Sequence, residues 1–466
     1  MAKLQSRYVC SECGFETPRW MGRCSQCDAW NTLIEERVEA HKTGGRARAA
    51  SQAETGTAPQ PVTQIAAHTG PRLSTGLTEL DRVLGGGIVP GSVVLVGGDP
   101  GIGKSTLLTQ VAHAISLSGS ALYVSGEESA HQVRLRCERL GALSDGLLAV
   151  SETDLHSIVA HISAVEPALT VVDSIQTCRD DTLDSAPGTV TQVRECALAL
   201  TRVAKASGRP IILIGHVTKE GAVAGPRVLE HMVDAVVTFE GDRHSSHRIL
   251  RCTKNRFGST DEIALLEMRG EGLAQVDDPS ASLLSERPQG ATGSCVAALL
   301  EGTRPLLVEV QALTSRSYLA APRRTATGID YNRIAMLLAV LEKRAGLRLG
   351  DQDVFANVVG GVRVVEPSAD LAVGLAVASS FRDQAVDPAT VCIGELGLGG
   401  EVRAVPHVER RLREAARHGF ERAIVSSRQA ARRLAVDSIS VVGVTDIVRA
   451  MEAALLPARK PPEGMR

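Results

Sequence analysis

The chain has 466 residues, of which 44% are hydrophobic and 22% are charged. Its 51 lysines and arginines nearly balance 53 aspartates and glutamates, which gives a formal net charge of −2. This balance excludes a whole-molecule attraction to nucleic acid or to a membrane, so any cationic surface has to be local. The apolar content excludes wholesale disorder, and no apolar run reaches the roughly 20 residues that span a bilayer. The N-terminal segment lacks the apolar stretch of a secretory signal, so we expect a cytoplasmic protein without a membrane partner.

The first 37 residues contain four of the ten cysteines, arranged as two Cys-x2-Cys pairs that are ten residues apart. Zinc binds four soft ligands in a tetrahedron, and each pair presents two thiolates from one tight turn. No histidine precedes His41, so four thiolates are the only complete ligand set. Five basic and five acidic side chains leave this segment neutral, which favours a structural ribbon over direct contact with DNA or a protein partner. The predicted zinc ligands are Cys10, Cys13, Cys24 and Cys27.

Composition also divides the rest of the chain. Residues 38–70 are rich in Ala, Gly, Thr and Gln and predict a flexible linker. Between residues 71 and 272, short Val/Ile/Leu runs alternate with longer helical stretches, which indicates an α/β domain with a mostly parallel sheet. A Pro/Ser/Asp stretch at 273–289 predicts a second linker, residues 290–456 predict an α+β domain, and residues 457–466 predict a disordered tail. The predicted strands of the α/β domain are VVLVGG, ALYVSG, LTVVDS, IILIGH and DAVVTFEG.

The first of these strands runs into a phosphate-binding loop of the form G-x4-G-K-[ST], which the helical stretch TLLTQVAHAI follows. The glycines let backbone N–H groups close around phosphates, and the helix adds the positive end of its dipole. Lys104 supplies a point charge between the phosphates, and the Ser105 hydroxyl is placed to ligate Mg²⁺. The loop therefore predicts binding of ATP or GTP. The residues expected to hold the nucleotide are Gly98, Asp99, Pro100, Gly101, Ile102, Gly103, Lys104, Ser105 and Thr106.

Acidic residues complete the predicted site. The strand LTVVDS carries Asp173, which would hold Mg²⁺ through the water shell of the ion. Hydrolysis also needs a base that orients water, and the candidates are Glu127 and Glu128, directly after the strand ALYVSG. We assign this role to Glu127. The alternative for either glutamate is a solvated carboxylate that stabilises the start of a helix.

Together these features resemble the core of the RecA-type recombinases. The motif Lys-Asn-Arg-Phe-Gly at 254–258 and the stretch 216–231 narrow the resemblance to the bacterial RadA (Sms) family of DNA-repair ATPases. The ribbon ahead of the core and the domain after it also match, so the resemblance covers essentially the whole chain. It implies a homohexameric, Mg²⁺- and ATP-dependent motor that DNA stimulates and that moves the branch points of strand-exchange intermediates. The implied partners are single-stranded and branched DNA, a RecA-type recombinase filament and a replicative helicase.

The family motifs also carry candidate residues. Lys219 and Arg227 lie in a Gly-rich stretch after a strand, where they would reach a nucleic-acid backbone. The alternative is an ordinary surface loop. Lys254 and Arg256 lie in a hairpin-like turn, which in a ring of subunits would direct cations at the nucleotide of the neighbouring subunit. Here too, a plain turn is the alternative.

From about residue 290 the chain resembles the proteolytic domain of the Lon proteases, which use a Ser–Lys dyad. Ser368 takes a plausible position for the serine, but the sequence has no lysine between Lys343 and Lys460. Arginine cannot replace it as a base because the guanidinium stays protonated. We therefore expect a proteolytically inactive, Lon-protease-like scaffold.

Residues 401–433 contain nine arginines and four glutamates. Such a stretch is usually a solvated helix face, and the alternative is a surface that follows DNA phosphates. On the second interpretation, Arg410 and Arg411 are candidate DNA contacts. Two rival functions remain for the whole chain. One is an ATP-dependent protease of the Lon type, and the other is a nucleotide-switched DNA-binding or adaptor protein without translocation.

Overall fold

The computed structural model describes residues 4–10, 15–39, 61, 63, 71–216, 229–241, 246–319, 321–432, 436 and 438–457. Nearly all of the predicted linker 38–70 and of the predicted tail 457–466 lies outside these ranges. The chain forms two compact units. The first comprises Met1–Glu240, Leu250–Thr260 and Gly270–Leu273, and the second comprises Gly241–Ile249, Asp261–Arg269 and Ala274–Arg466. Within the described ranges, every helix is too short or too polar to cross a membrane.

The N-terminal ribbon is a three-stranded antiparallel sheet. Its strands are β1 Leu4–Cys10, β2 Glu16–Thr17 and β3 Leu33–Glu39, in the order β2-β1-β3. Cys10 ends β1 and pairs with Leu33, which begins β3. These two residues and Cys24 form a small buried cluster. Cysteines thus occupy the interior of a segment that is too short to bury a hydrophobic core.

The first unit is built around a mostly parallel sheet. Its helices are α1 Thr78–Val83, α2 Lys104–Ser116, α3 Ala130–Arg139, α4 Leu155–Val165 and α5 Val190–Ser207. The sheet contains β4 Val93–Gly98, β5 Ala121–Ser125, β6 Leu147–Ser151, β7 Leu169–Asp173, β8 Ile211–His216, β9 Ala235–Glu240, β10 His247–Asn255, β11 Ile263–Arg269 and β12 Gly272–Gln275. Of these strands, β11 and parts of β10 and β12 belong to the residue ranges of the second unit. The strand order is β12-β11-β10-β9-β4-β8-β7-β5-β6, and the pairs from β9 to β6 are parallel.

The register of the parallel strands brings their carboxyl ends to one edge of the sheet. Gly98 of β4 pairs with His216 of β8, and Asp173 of β7 pairs with Ser125 of β5. The strands β4, β5 and β7 are buried along their whole length, as expected when helices cover both faces of a sheet. The five strands predicted from sequence and the α/β fold are confirmed. Ligands of open α/β sheets bind at this edge, which is where the predicted site residues lie.

The second unit is an α+β fold. Its helices are α6 Pro279–Leu284, α7 Tyr331–Ala345, α8 Asp370–Arg382, α9 Val408–Arg417, α10 Ser427–Ala430 and α11 Ile447–Ala454. Its further strands are β13 Ser294–Glu301, β14 Arg304–Arg316, β15 Arg324–Thr327, β16 Gln352–Val358, β17 Thr390–Cys392, β18 Glu395–Leu396, β19 Val402–Arg403, β20 Arg422–Ser426 and β21 Ser440–Val444. Seven of them form a mixed sheet in the order β15-β16-β14-β13-β17-β20-β21, and β18 pairs with β19.

The prediction of a linker at 273–289 is wrong. This stretch contains the end of β12 and the whole of α6. Asp278 caps α6 by accepting a hydrogen bond of 3.0 Å from the backbone N–H of Ala281, and Pro279 occupies the first turn. Leu283 is 4% exposed and belongs to the main hydrophobic core of the second unit. Pro, Ser and Asp mark the start of a packed helix here, because these residues are also the ones that helix N-termini favour.

Candidate nucleotide site and zinc centre

The strand β4 leads through the glycine-rich loop into α2, which is the context that a phosphate-binding loop requires. Gly98 and Gly103 have φ angles of 152° and 118°, in a region that side chains disfavour. A Cβ at Gly98 would also lie only 2.8 Å from the Cβ of Phe239. Both the conformation and the space at Gly98 therefore demand glycine. This close fit lets the backbone of the loop turn tightly at the end of β4.

Lys104 begins α2 and is buried, with 3% of its surface exposed. Its Nζ donates hydrogen bonds to the carbonyl oxygens of Gly98, at 2.8 Å, and Asp99, at 2.9 Å. Burial lowers the pKa of Lys104 to about 8, and the nearby carboxylates of Asp173, Asp99 and Glu127 oppose this shift. A poorly solvated ammonium gains stability from an anion beside it. Lys104 is therefore suited to the phosphates of a nucleotide.

Asp173 ends β7 and is 6% exposed. Tyr123, from the neighbouring β5, donates a hydrogen bond from its hydroxyl to Asp173 Oδ2 at 2.6 Å. Burial, reinforced by the charge of Asp173, raises the pKa of Tyr123 well above its usual value, so the hydroxyl remains a donor. Asp173 and the Ser105 hydroxyl offer the oxygen ligands that Mg²⁺ prefers. Sequence reasoning missed Tyr123, although a tyrosine within an aliphatic strand signals a hydroxyl that needs a buried partner.

The two candidate bases, Glu127 and Glu128, lie in different environments. Glu127 is exposed and accepts a hydrogen bond from the hydroxyl of Ser174 at 2.8 Å. Glu128 forms an ion pair with Arg136, with 2.6 Å between Oε2 and Nη1. Arg136 is 8% exposed, and its guanidinium carbon lies 5.1 Å from the centre of the Tyr123 ring. Glu128 is thus held in an ion pair with Arg136, whereas Glu127 contacts Ser174, the residue that follows β7.

The Lys-Asn-Arg-Phe-Gly motif begins inside β10, so Lys254 lies in a strand rather than in the predicted turn. Its Nζ donates hydrogen bonds to the carbonyl oxygens of Glu230, at 2.5 Å, and Val233, at 2.9 Å. Burial and the neighbouring Arg256 lower the pKa of Lys254. Arg256 forms an ion pair of 3.1 Å with Asp234. Both cations therefore contact groups of their own chain.

Asp234 links this motif to the strand of the phosphate-binding loop. Its side chain is 5% exposed, and its Oδ1 binds Arg256. Its Oδ2 accepts a hydrogen bond of 3.0 Å from the backbone N–H of Val93, the first residue of β4. The backbone N–H of Asp234 donates to the Val93 carbonyl oxygen at 2.9 Å. One buried carboxylate thus joins β4 to the cationic motif.

The four predicted DNA contacts have different outcomes. Lys219 and Arg227 lie outside the described residues. Arg410 lies on α9 and is exposed. The prediction for Arg411 is wrong, because its side chain is 1% exposed and cannot reach a phosphate. The arginine-rich stretch therefore divides into surface and core residues.

The side chain of Arg411 contacts Ser368, the candidate serine for a Lon-type dyad. Its Nη1 donates hydrogen bonds to the hydroxyl of Ser368 at 3.0 Å and to the carbonyl oxygen of Ala298 at 2.6 Å. Its Nη1 and Nη2 each bind one oxygen of the Glu366 carboxylate at 2.7 Å. Ser368 is itself 1% exposed. A guanidinium that stays protonated cannot take the proton of this serine.

Three of the four predicted zinc ligands lie together in the described part of the ribbon. The Sγ atoms of Cys10, Cys24 and Cys27 all lie within 4.8 Å of one another, with 3.6 Å between Cys10 and Cys27. Four thiolates at about 2.3 Å from a tetrahedral zinc ion are about 3.8 Å apart, so this set fits zinc. The fourth predicted ligand, Cys13, lies outside the described residues. The six cysteines beyond the ribbon are all buried, as predicted for small apolar side chains.

The amino-acid sequence matches three protein-family models. Residues 62–222 match an AAA domain, residues 8–35 match the rubredoxin metal binding domain, and residues 333–429 match the subunit ChlI of Mg-chelatase. The first match contains the phosphate-binding loop and Asp173, and the second contains both cysteine pairs. The chain is thus an ATP-binding protein of the P-loop ATPase class with a zinc ribbon.

Whole-chain relatives agree with these matches. The DNA repair protein RadA of Bacillus subtilis is 51% identical over 456 residues, which cover 98% of this chain and 100% of that protein. The DNA repair protein RadA of Pseudomonas aeruginosa is 50% identical over 455 residues, covering 97% and 99%. The crystal structure of a KaiC-like protein from Pyrococcus horikoshii, 18% identical, covers 44% of this chain and 98% of its own at a TM-score of 0.38, too low to support a conclusion. With its RecA-like P-loop fold and relatives that match from end to end, the chain belongs to the RadA family of DNA repair proteins.

Proposed function

We propose that this chain is a DNA-stimulated, Mg²⁺-dependent ATPase that works as a motor on branched DNA during homologous recombination and repair. The observation that carries the proposal is the position of Asp173 and Glu127 around the buried Lys104, at the carboxyl edge of a parallel sheet. Phosphoryl transfer needs a cation for the phosphates, a carboxylate for the metal and a group that orients the attacking water. Membership of the RadA family connects this centre to DNA repair.

Each residue of the site has one task in this proposal. Lys104 and the backbone N–H groups of the loop bind the phosphates, which replace the carbonyl oxygens that the lysine contacts here. Ser105 and Asp173 hold Mg²⁺, which when bound neutralises charge on the phosphates. Tyr123 keeps Asp173 in one orientation through the hydrogen bond of 2.6 Å. Glu127 orients the attacking water and accepts its proton.

The proposed motor is a homohexamer in which Lys254 and Arg256 act on the nucleotide of the neighbouring subunit. In the single chain both side chains bind carbonyl oxygens or Asp234. In the ring these bonds would exchange for contacts with phosphates, and the added positive charge would stabilise the transition state. Hydrolysis would then depend on assembly, which is what coordinated movement along DNA requires.

Single-stranded and branched DNA are the proposed substrates. Lys219, Arg227 and the exposed Arg410 are the proposed contacts with the sugar–phosphate backbone. Contacts of this kind bind without reading sequence, as a motor that moves through any sequence requires. The proposed protein partners are a RecA-type recombinase filament and a replicative helicase.

The test compares Glu127→Gln with its neighbour Glu128→Gln, by ATP turnover with and without single-stranded DNA and by branch migration of a D-loop substrate. Glu127→Gln is expected to bind ATP normally and to lower kcat by about 10²- to 10⁴-fold, because it removes the base. Branch migration should fail with it. Glu128→Gln removes only the ion pair with Arg136, so most of the turnover should remain.

Three outcomes would contradict the proposal. Normal turnover by Glu127→Gln would overturn the assignment of the base. ATP-dependent changes in DNA binding by the wild type without branch migration would favour a nucleotide-switched adaptor. Degradation of casein would favour a Lon-type protease, against which the hydrogen bond between Arg411 and Ser368 argues.

A further inference from the structure

A second group of metal-binding side chains lies in the second unit. His418 Nε2 is 3.2 Å from Glu414 Oε1 and 3.3 Å from Asp278 Oδ1. The three ligand atoms that these side chains offer all lie within 4.8 Å of one another. Glu414 and His418 are 10% and 12% exposed, and Asp278 is 43% exposed. The group is thus half enclosed, with one ligand at the surface.

The distances match those around a bound metal ion. Around an ion with bonds of about 2.1 Å, donor atoms lie about 3.0 Å apart at right angles and about 3.4 Å apart in a tetrahedron. The separations of 3.2 Å and 3.3 Å fall between these values. Two of the three separations between ligand atoms therefore suit a single ion, and the third pair, Asp278 and Glu414, lies within 4.8 Å.

The local structure holds two of the ligands in place. Glu414 lies on α9 and His418 follows its last residue, so the four-residue spacing places both on one helix face. The hydroxyl of Ser280, a residue that is 1% exposed, donates a hydrogen bond of 2.6 Å to Glu414 Oε1. The same hydroxyl oxygen accepts one of 3.1 Å from the backbone N–H of Leu307. Support of a ligating carboxylate by such outer partners is typical of metal sites.

A side-chain cation already lies among these atoms. Arg417 Nη2 is 3.2 Å from Glu414 Oε1, from Asp278 Oδ2 and from His418 Nε2. The positive charge of Arg417 offsets the repulsion between the two carboxylates. Arg417 is 58% exposed, so its side chain can turn into solvent and leave the position to a metal ion.

The surroundings leave room for further ligands. A pocket of about 360 Å³ adjoins His418 and is also lined by Arg287, Gly419 and Phe420. Water in this pocket can complete the coordination of an ion that has three protein ligands. One imidazole and two carboxylates suit Zn²⁺ better than Mg²⁺, which prefers oxygen ligands only.

We propose that Asp278, Glu414 and His418 form a second zinc site, in addition to the cysteine ribbon, and that Arg417 is the cation that zinc displaces. Asp278 caps α6, and Glu414 lies on α9. Zinc at this position therefore fastens the segment that sequence marks as a linker to α9. Nothing in this assignment depends on nucleotide hydrolysis.

The test is equilibrium dialysis of the full chain, without nucleotide, against buffered free Zn²⁺, with the bound metal counted by mass spectrometry. The wild type should take up one equivalent more than His418→Gln, because the ribbon contributes equally to both. Asp278→Asn changes a more exposed ligand and should lower the affinity for this additional zinc ion by at least about tenfold. Arg417→Ala should raise the affinity for this zinc ion by about tenfold, because the substitution removes a competing positive charge. Arg413→Ala removes the same charge from α9 at a site paired with Glu409, and should bind zinc like the wild type.

Equal zinc content in the wild type, His418→Gln and Asp278→Asn at every concentration would overturn the proposal. Unchanged affinity in Arg417→Ala would overturn the assignment of Arg417 as the cation that zinc displaces. Thermal melting of each variant without added zinc verifies that the comparison is made on folded protein. Should His418→Gln fail to fold, Asp278→Asn and Arg417→Ala still give opposite predicted shifts in affinity.

Discussion

Arg410→Ala and Arg411→Ala replace neighbouring arginines of α9. We expect the first to weaken DNA binding and the second to lower stability. The Arg411 side chain is 1% exposed and binds both oxygens of Glu366 at 2.7 Å. Its removal takes the ion-pair partner away from the Glu366 carboxylate, which is 23% exposed. Breaking a buried ion pair costs about 3–5 kcal/mol, and the partial exposure of Glu366 places this loss near the lower value. Arg410 is exposed, so its substitution should change the free energy of unfolding by less than about 0.5 kcal/mol.

The expected loss converts into a clear shift in melting temperature. For domains of this size, 1 kcal/mol corresponds to about 2–4 °C, so Arg411→Ala should lower the Tm of the second unit by about 6–12 °C. Differential scanning calorimetry of the full chain measures this shift, with Arg410→Ala as the matched control. Fluorescence anisotropy below the transition measures affinity for single-stranded DNA. Arg410→Ala should weaken binding and lower the salt slope by about 1, whereas folded Arg411→Ala should bind like the wild type.

Two results would refute this reasoning. The first is a Tm of Arg411→Ala within about 2 °C of the wild type, which would mean that the ion pair with Glu366 contributes little. The second is an equal loss of DNA affinity in both variants, measured where both are folded. That result would return Arg411 to the DNA-binding surface.

Further predictions concern the nucleotide site and the ribbon. Tyr123→Phe should lower the free energy of unfolding by about 1.5–3 kcal/mol in urea titrations, because the buried Asp173 loses its donor; an unchanged midpoint would contradict this. ATP affinity should be constant below about pH 8 and fall above it by up to tenfold per pH unit, because Lys104 of the nucleotide-free protein then loses the proton that phosphates favour. Titration with a fluorescent nucleotide measures this affinity, and a constant value up to pH 9.5 would contradict the prediction. Lys254→Ala should bind ATP normally yet lose DNA-stimulated turnover, and full stimulation would count against a role between subunits. Chelation of zinc should alter tryptophan emission reversibly, since both tryptophans lie in the ribbon, whereas constant emission would oppose a structural metal.

Sequence predicted the centre of the α/β fold because its strands are buried on both faces and read as continuous apolar runs. It missed β6, which lies at the edge of the sheet and whose residues are mostly half-buried or exposed. An edge strand has no second neighbour to bury it, so its apolar signal is weaker. The helix α6 was missed for another reason, since its capping residues are also those of turns and linkers.

At the candidate site, too, the sequence predicts local features better than contacts between distant segments. The phosphate-binding loop follows from local sequence, because glycine spacing and the adjacent lysine act within one turn of the chain. The choice between Glu127 and Glu128 depends on Arg136 and Ser174, which reach them from other elements. Charge density along 401–433 likewise did not reveal that Arg411 turns inwards to Glu366. Contacts between distant segments decide such cases, and a single sequence does not display them.

Asp234 connects two parts of the first unit, the strand β4 and the segment that carries Arg256. One of its oxygens is fastened to the first residue of β4, and the other to the guanidinium of Arg256. The strand β4 is hydrogen-bonded to β8 on one side and to β9 on the other, and its far end leads into the phosphate-binding loop. An outward movement of Arg256 would either break its ion pair with Asp234 or displace β4. A pull on Arg256 would thereby reach the phosphate-binding loop of the same chain.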